Sequence, residues 1–346
     1  MDLFDTENYD YHLPEELIAQ NPAEPRDSSR LLVLSRQKGV MEHALFSSLG
    51  DYLRQGDLLV LNDTRVIPAR LRGKKAPGGG RVELLLIRAM DAKFRRWEAF
   101  VRPGRRIPPG TRIALGEGTE VLAGDRLEEG IRVVEFPEGT DVLPLLARIG
   151  EMPLPPYITR SSAPPSSYQT VFAQKNGSAA APTASLHFTV PLLEKLKKER
   201  GVETAWLTLH VGPGTFRPVK CPDLREHRMH EEFCVLPEDT RNMILKTRSA
   251  GGRIVAAGTT AARTLESFAR EDGSLEWGEK STGLFIYPGY RFKITDGLIT
   301  NFHLPRSSLL MLTTAFAGFD NVKKAYEEAV AQEYRFFSFG DAMLII

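Results

Sequence analysis

Between about Arg72 and Pro156 the chain changes texture. Short β-like runs (Val82–Ile87, Trp97–Val101, Arg112–Leu115, Glu120–Leu122, Ile131–Phe136) follow one another, separated by turns such as Pro77-Gly78-Gly79-Gly80 and Pro108-Pro109-Gly110. Short strands at this regular spacing predict a small β-barrel or sandwich. Both flanks read differently. Upstream, Leu31–Leu34 and Leu58–Leu61 are apolar runs bounded by turn residues, the pattern of buried strands, and Pro14–Ile18 has the Pro and acids that suit the first turn of a helix. Downstream, after a Pro- and Ser-rich loop from Met152 to Ser167, helices and strands alternate. Helices are predicted over Val190–Arg200, Ala261–Arg270, Ser307–Phe316 and Asn321–Tyr334, the last capped by Asp320. Strands are predicted over Ala205–Val211, Arg253–Ala257, Leu284–Tyr287 and Leu298–Asn301. The expected architecture is a discontinuous α/β layered domain, residues 1–70 and 157–346, interrupted by an inserted small all-β barrel domain over residues 71–156. The cleft between two such parts is the default place for a ligand.

The interruption also divides the charge. The whole chain is nearly neutral, with 45 Lys and Arg against 44 Asp and Glu, which alone points to neither nucleic acid nor an acidic partner. From Arg70 to Arg112, however, 13 basic residues stand against 3 acidic ones, a net of +10. From Ile113 to Asp141, 2 basic residues stand against 8 acidic ones, a net of −6. The basic stretch is either a surface that attracts a phosphate backbone or a solvated strand face of mixed charge. No run approaches the ~18 consecutive apolar residues of a membrane span, and the acidic opening Asp2-Leu3-Phe4-Asp5 is unlike a signal peptide, so a soluble, cytoplasmic protein is expected. Cys221 and Cys234 are too few for a metal cage or a disulfide framework and read as reduced thiols.

Common cofactor signatures fail. Gly116-Glu117-Gly118 and Gly212-Pro213-Gly214 begin like GxGxxG but carry Val121 and Arg217 at the third glycine position, and neither GxxxxGK[ST] nor GxSxG occurs. Polar clusters at strand ends remain. Asn62, Asp63 and Arg65 bring an amide, a carboxylate and a guanidinium to a loop, for a ligand or for an ordinary Asx-turn with an ion pair. His210 precedes a turn containing Gly212 and Gly214, where a ligand can approach the backbone closely. Gly258-Thr259-Thr260-Ala261-Ala262-Arg263 joins a strand to a helix, a setting that suits a carboxylate or phosphate, or simple capping. His227-Arg228-Met229-His230-Glu231 spaces two imidazoles for one helical face and adds a carboxylate, without HExxH order or an evident third metal ligand. With His303, four of the seven histidines occupy such segments in the second half. That concentration points to proton transfer, although any one of them reads equally as a satisfied core histidine.

Taken in order, these segments resemble the S-adenosylmethionine:tRNA ribosyltransferase-isomerase family of queuosine biosynthesis. The resemblance runs nearly end to end, through Asp10–Pro14, Leu17–Gln20, Arg26–Leu32, Leu61–Arg70, Tyr168–Val171, Ala180–Ala184, Leu186–Thr189, Leu209–Phe216, His227–Glu231, Gly258–Glu266, Asn301–Pro305 and Tyr334–Met343. It is weakest over residues 72–150. Ser185 stands where the family usually has Gly, and Ser166-Ser167 where a charged pair is common. The first would alter a turn if that turn needs positive φ.

The resemblance implies an α/β domain interrupted by a β-barrel, metal-free chemistry, and no cofactor beyond S-adenosylmethionine, which is consumed as a co-substrate. The implied partner is tRNA carrying 7-aminomethyl-7-deazaguanine at the wobble position, with no membrane and no obligate protein partner; a monomer is expected. The ribosyl moiety would pass to the aminomethyl group and isomerise, giving epoxyqueuosine-tRNA with release of adenine and methionine. A base must then remove a proton acidified by the sulfonium, and an acid must help adenine leave. On that implication His187, His210, His227, His230 and Glu231 are the catalytic candidates. Thr259, Thr260 and Arg263 would take the methionine carboxylate, and Asn62, Asp63 and Arg65 the modified base or ribose. Thr183, Gly212, Gly214, Thr215 and His303 complete the substrate-binding set, and Arg95, Arg96, Arg105 and Arg106 would bind tRNA. The rivals are a non-catalytic RNA-binding adaptor, a metal-dependent hydrolase built on His227 and His230, and a conventional methyltransferase, which the missing glycine fingerprint disfavours.

Overall fold

The computed structural model describes residues 2–127, 130–212 and 218–346. Strands β1 (Arg30–Leu34) and β2 (Met41–Leu45) form an antiparallel pair, followed by β3 (Leu58–Asn62) and β4 (Thr64–Val66). Every residue of β3 is buried, as expected of a strand covered on both faces. The chain then leaves the sheet for six strands: β5 (Arg70–Ala76), β6 (Arg81–Ala89), β7 (Arg96–Arg102), β8 (Thr111–Ala114), β9 (Glu120–Arg126) and β10 (Ile131–Glu135). These close an antiparallel barrel in the order β10-β7-β6-β5-β8-β9. Alternate residues fill it, among them Val82, Leu84, Leu86, Trp97, Ala99 and Val101, and helix α1 (Val142–Ile149) adds Val142, Leu145 and Leu146 to the same core. The inserted barrel read from the short-strand pattern is present.

Strand β11 (Lys175–Ser178) pairs in parallel with β4. There follow α2 (Val190–Arg200), β12 (Glu203–Leu209), β13 (Glu232–Leu236), α3 (Glu238–Ser249), β14 (Ile254–Ala257), α4 (Thr259–Phe268), β15 (Gly278–Thr282), β16 (Gly297–Asn301), α5 (Ser308–Ala317), α6 (Phe319–Ala331) and β17 (Ala342–Ile345). The main sheet runs β15-β13-β12-β3-β14-β16-β17-β1-β2. Alternation along β3 divides its residues between two cores: Leu58 and Val60 pack with α3, α4, α5 and α6, whereas Leu59 and Leu61 pack with α2 and Phe46. Strands β12, β3, β14 and β16 are mutually parallel, so Leu209, Asn62, Ala257 and Asn301 mark their carboxyl ends on one edge.

Some local expectations are corrected. Leu284–Tyr287 is irregular, and the outer partner of β13 is β15 instead. Helix α6 starts at Phe319 after Gly318, so Asp320 lies in its first turn rather than capping it. Pro14–Ile18 forms only a 3-10 turn at Glu15–Leu17. Among the described residues, no helix is long and apolar enough to cross a membrane.

Candidate active site

In open α/β sheets, ligands settle outside the carboxyl ends of parallel strands. At that edge the barrel meets the main sheet across a cavity of about 1140 Å³. The barrel supplies Ile87, Arg88, Phe94, Glu98 and Phe100, and the α/β part supplies Gly177, His210, Gly212, His230, Glu231, Glu232 and Glu279. Arg88 is clamped by Glu98 from the neighbouring strand, Nε to Oε2 at 3.0 Å and Nη2 to Oε1. Glu98 foremost, and Glu231 across the cleft, hold the Arg88 guanidinium above its ordinary pKa.

His210 directly follows β12, and three groups fix its ring. Its Nδ1 lies 2.7 Å from Thr64 Oγ1. Phe233 stacks on it with centroids 5.9 Å apart. On the third side is Gly177, at φ +146°, where a Cβ would come within 2.7 Å of Nε2. Only a glycine fits both that backbone and that approach. Burial lowers the His210 pKa to about 4, leaving the imidazole uncharged at neutral pH.

His230 and Glu231 are exposed on the cavity wall. Residues 227–231 are not helical, so the spacing of the two imidazoles does not place them on one face. His227 packs edge-on against Phe285 at 4.7 Å, outside the cavity lining. Among the described residues, no three His, Cys, Asp or Glu side chains are grouped as a metal site requires.

Within this wall Glu232 accepts the Gly212 N–H at 2.9 Å and forms a buried ion pair with Arg263. Arg263 Nε donates to Leu284 O at 3.1 Å, while its Nη2 and the Thr260 hydroxyl, both buried, have no hydrogen-bond partner among the described residues. With Thr259 they form the first turns of α4, entered through Gly258 at φ +102°. Gly214 and Thr215 lie outside the described residues.

The remaining candidates do not line the cavity, and most are engaged with neighbouring protein groups. His187 is stacked on Phe46 at 5.0 Å. Asn301 Nδ2 donates to its Nε2 at 3.1 Å, which leaves Nδ1–H to donate to Ser29 Oγ at 2.8 Å. Burial foremost, with Arg335 and Arg26 adding to it, lowers the His187 pKa to about 3. Thr183 Oγ1 donates to Asn301 Oδ1 at 2.9 Å. His303, whose pKa burial also lowers to about 3, is held by Thr300 Oγ1 at 2.6 Å from Nε2. Asn62 spends its amide on the backbone, donating to Leu209 O and accepting from Leu209 N, both at 3.0 Å. The Asp63 carboxylate accepts from Thr208 Oγ1 at 2.6 Å, and burial raises its pKa. Arg65 donates to Ala173 O. Ser185 sits in a 3-10 turn outside the positive-φ region and donates to Ala257 O at 3.3 Å, so this turn accepts a serine.

On the barrel, Arg95 pairs with Glu135 at 3.7 Å and Glu138 at 3.5 Å, whereas Arg96, Arg105 and Arg106 are exposed. Sequence reasoning passed over Arg88, Glu98, Thr64 and Gly177. For Gly177 the available signal was a glycine set in a strand, which marks close approach. For Arg88 and Glu98 only the strand register brings the two together.

A family model described as queuosine biosynthesis protein matches residues 6–345. A Symbiobacterium thermophilum protein named S-adenosylmethionine:tRNA ribosyltransferase-isomerase is 54% identical over 342 residues, covering 98% of this chain and 99% of its own. One of the same name from Halothermothrix orenii is 52% identical over 341 residues, covering 98% and 99%. The crystal structure of an S-adenosylmethionine tRNA ribosyltransferase from Thermotoga maritima is similar with a TM-score of 0.56 and 42% identity, over 98% of this chain and 100% of that one. A match of this length, on a fold with the barrel inserted at the same cleft that gathers His210, His230 and Glu231, places the chain in the S-adenosylmethionine:tRNA ribosyltransferase-isomerase family of queuosine biosynthesis.

Proposed function

We propose that the chain transfers and isomerises the ribosyl moiety of S-adenosylmethionine onto 7-aminomethyl-7-deazaguanine at the wobble position of tRNA, releasing adenine and methionine. The observation that carries this reading is the cavity between barrel and sheet, lined on one side by the barrel and on the other by the titratable groups His210, His230 and Glu231. S-adenosylmethionine is consumed as a co-substrate, no resident cofactor is needed, and the reaction belongs in the cytoplasm with its tRNA.

Within this reading His210, His230 and Glu231 handle protons. His210 is fixed in orientation on the cavity wall, so its ring can hold a proton at a defined place beside the substrate. His230 and Glu231, exposed on the cavity wall, lie where the departing adenine or the proton beside the sulfonium would be met. The amino terminus of α4, with the unpaired Thr260 hydroxyl and Arg263 Nη2, suits the methionine carboxylate. His187 and His303 act as positioning residues, through Asn301 and Thr300 respectively.

The test is incubation of the purified protein with S-adenosylmethionine and tRNA bearing the aminomethyl base, followed by nucleoside mass spectrometry and an adenine assay. Epoxyqueuosine and adenine in equal amounts are expected. A methylated nucleoside, or no change in a tRNA that still binds, would defeat the proposal.

A further inference from the structure

We propose that the tRNA backbone docks on one end of the barrel, on Lys74, Arg81, Arg102, Arg105 and Arg106, and that the buried Arg132 holds this surface in shape. The inference rests on the tRNA reading above and narrows it to a place.

The strand register assembles the patch. Lys74 lies directly opposite Arg81 on β5 and β6, and Glu83 is flanked by Arg72 on one side and Arg102 on the other. Arg72 is taken by Glu151 at 2.9 Å. The 3-10 turn Gly104–Arg106 follows β7 after Pro103 and adds Arg105 and Arg106 at the Arg102 end of that strand. All five cations are exposed, and among the described residues none forms an ion pair within 4.0 Å. Like charges directly opposite in a ladder destabilise it, so Lys74 and Arg81 carry a penalty that a bound anion would relieve.

Elsewhere on the barrel and its helix, the acidic stretch pairs with several cations. Arg95 meets Glu135 and Glu138, Arg112 meets Glu120 at 3.8 Å, and Arg148 meets Glu117 at 2.9 Å. Among the described residues, the five cations of the patch have no such acidic partner within 4.0 Å, and they share one end of the barrel.

Arg132 supports that end from inside. It is 6% exposed and donates to two carbonyls, Gly104 O at 3.1 Å and Gly124 O at 3.4 Å. Gly104 opens the turn that carries Arg105 and Arg106. A buried guanidinium spent on a turn's backbone is costly to place and pins that turn.

The patch is also the right distance from the cavity. The outer row of β6 runs Arg81, Glu83, Leu85, Ile87, and Ile87 lines the cavity. At ~3.3 Å per residue the two ends are about 20 Å apart, a span of a few nucleotides. A base in the cavity and phosphates on the patch can be held together.

The experiment measures binding of an unmodified tRNA transcript across a salt series, for the wild type, for the quadruple variant K74Q/R81Q/R105Q/R106Q, and for R148Q, whose arginine is paired with Glu117. In the quadruple variant the slope of log K against log salt should become shallower by about 2–4, and affinity at ~0.1 M salt should fall at least about tenfold; R148Q should track the wild type. The thermal transition of the quadruple variant should hold or rise, because the Lys74–Arg81 opposition is gone. R132M should flatten the slope partway, with R132K restoring some of it. An unchanged slope in the quadruple variant, with tRNA still bound, overturns the patch alone. A wild type that binds no tRNA overturns both the patch and the tRNA reading.

Discussion

Glu232 and Arg263 meet with 5% and 3% of their side chains exposed, and the other carboxylate oxygen of Glu232 accepts the Gly212 N–H at 2.9 Å. One acidic side chain at the start of β13 therefore fixes both a helix and the backbone at the end of β12. A buried pair is a weak source of stability, but it is expensive to break from one side, because the surviving charge is left in the interior without a partner.

Replacing Glu232 by Ala should accordingly cost about 3–5 kcal/mol, read by urea unfolding. The double change Glu232→Leu with Arg263→Met removes both charges and should cost less than Glu232→Ala alone. A Glu232→Ala variant within about 1 kcal/mol of wild type would show that the pair contributes little.

Acid should destabilise the fold through its buried histidines. Burial lowers His187 and His303 to about 3 and His210 to about 4. The folded protein keeps these rings neutral, whereas the unfolded chain protonates them below about pH 6.5. The unfolded state then binds more protons, so stability declines as pH falls from about 6.5 toward 4, by up to ~1.4 kcal/mol per pH unit for each ring. Denaturant unfolding at a series of pH values measures the slope. His187→Gln should flatten it by about one histidine's share, whatever it costs at neutral pH. An unaltered slope would mean that His187 charges freely in the folded state.

The barrel was legible in the sequence because short apolar alternations punctuated by Gly and Pro have few other ways to fold. Strand β5 was not, since Arg70–Ala76 carries four cations and one glycine and buries only Leu71 fully. The site was legible as a set of segments but not as a geometry. Asn62, Thr183 and His303 are polar residues at strand ends, and the sequence does not reveal whether such a group faces a ligand or satisfies its neighbours. Here the amide of Asn62 joins β3 to β12, and Thr183 orients Asn301. The His227 and His230 spacing suggested a helical face, yet the segment is irregular and the two rings part company. Arg88 and Glu98 sit ten positions apart in the chain, and a hairpin with a register shift makes them partners.

His230 offers a clean separation of chemistry from folding. It is exposed, so His230→Ala removes nothing from the core. Turnover measured by adenine release should fall by about 10²–10⁴-fold while the thermal transition stays in place. Glu231→Gln should behave alike. His227→Ala should lose less than about tenfold, because that ring packs on Phe285 away from the cavity. A His230→Ala enzyme with full activity would remove this residue from the mechanism.

Thr64 tests whether His210 works through its orientation. The hydroxyl is 2.7 Å from Nδ1, and this hydrogen bond holds the ring in one orientation on the cavity wall. Thr64→Val preserves shape but removes the hydrogen bond. It should lower kcat by about 10–100-fold and leave the KM for S-adenosylmethionine within about threefold, the signature of an interaction needed in the transition state. Thr64→Ser keeps the hydroxyl and should recover most of the rate, which a purely structural role for the side chain would not predict. Gly177→Ala attacks the same ring from the opposite side, since its Cβ would stand 2.7 Å from Nε2 on a backbone at φ +146°. If Thr64→Val and Gly177→Ala both turn over normally, the clamp around His210 is packing and its proton plays no part in the reaction.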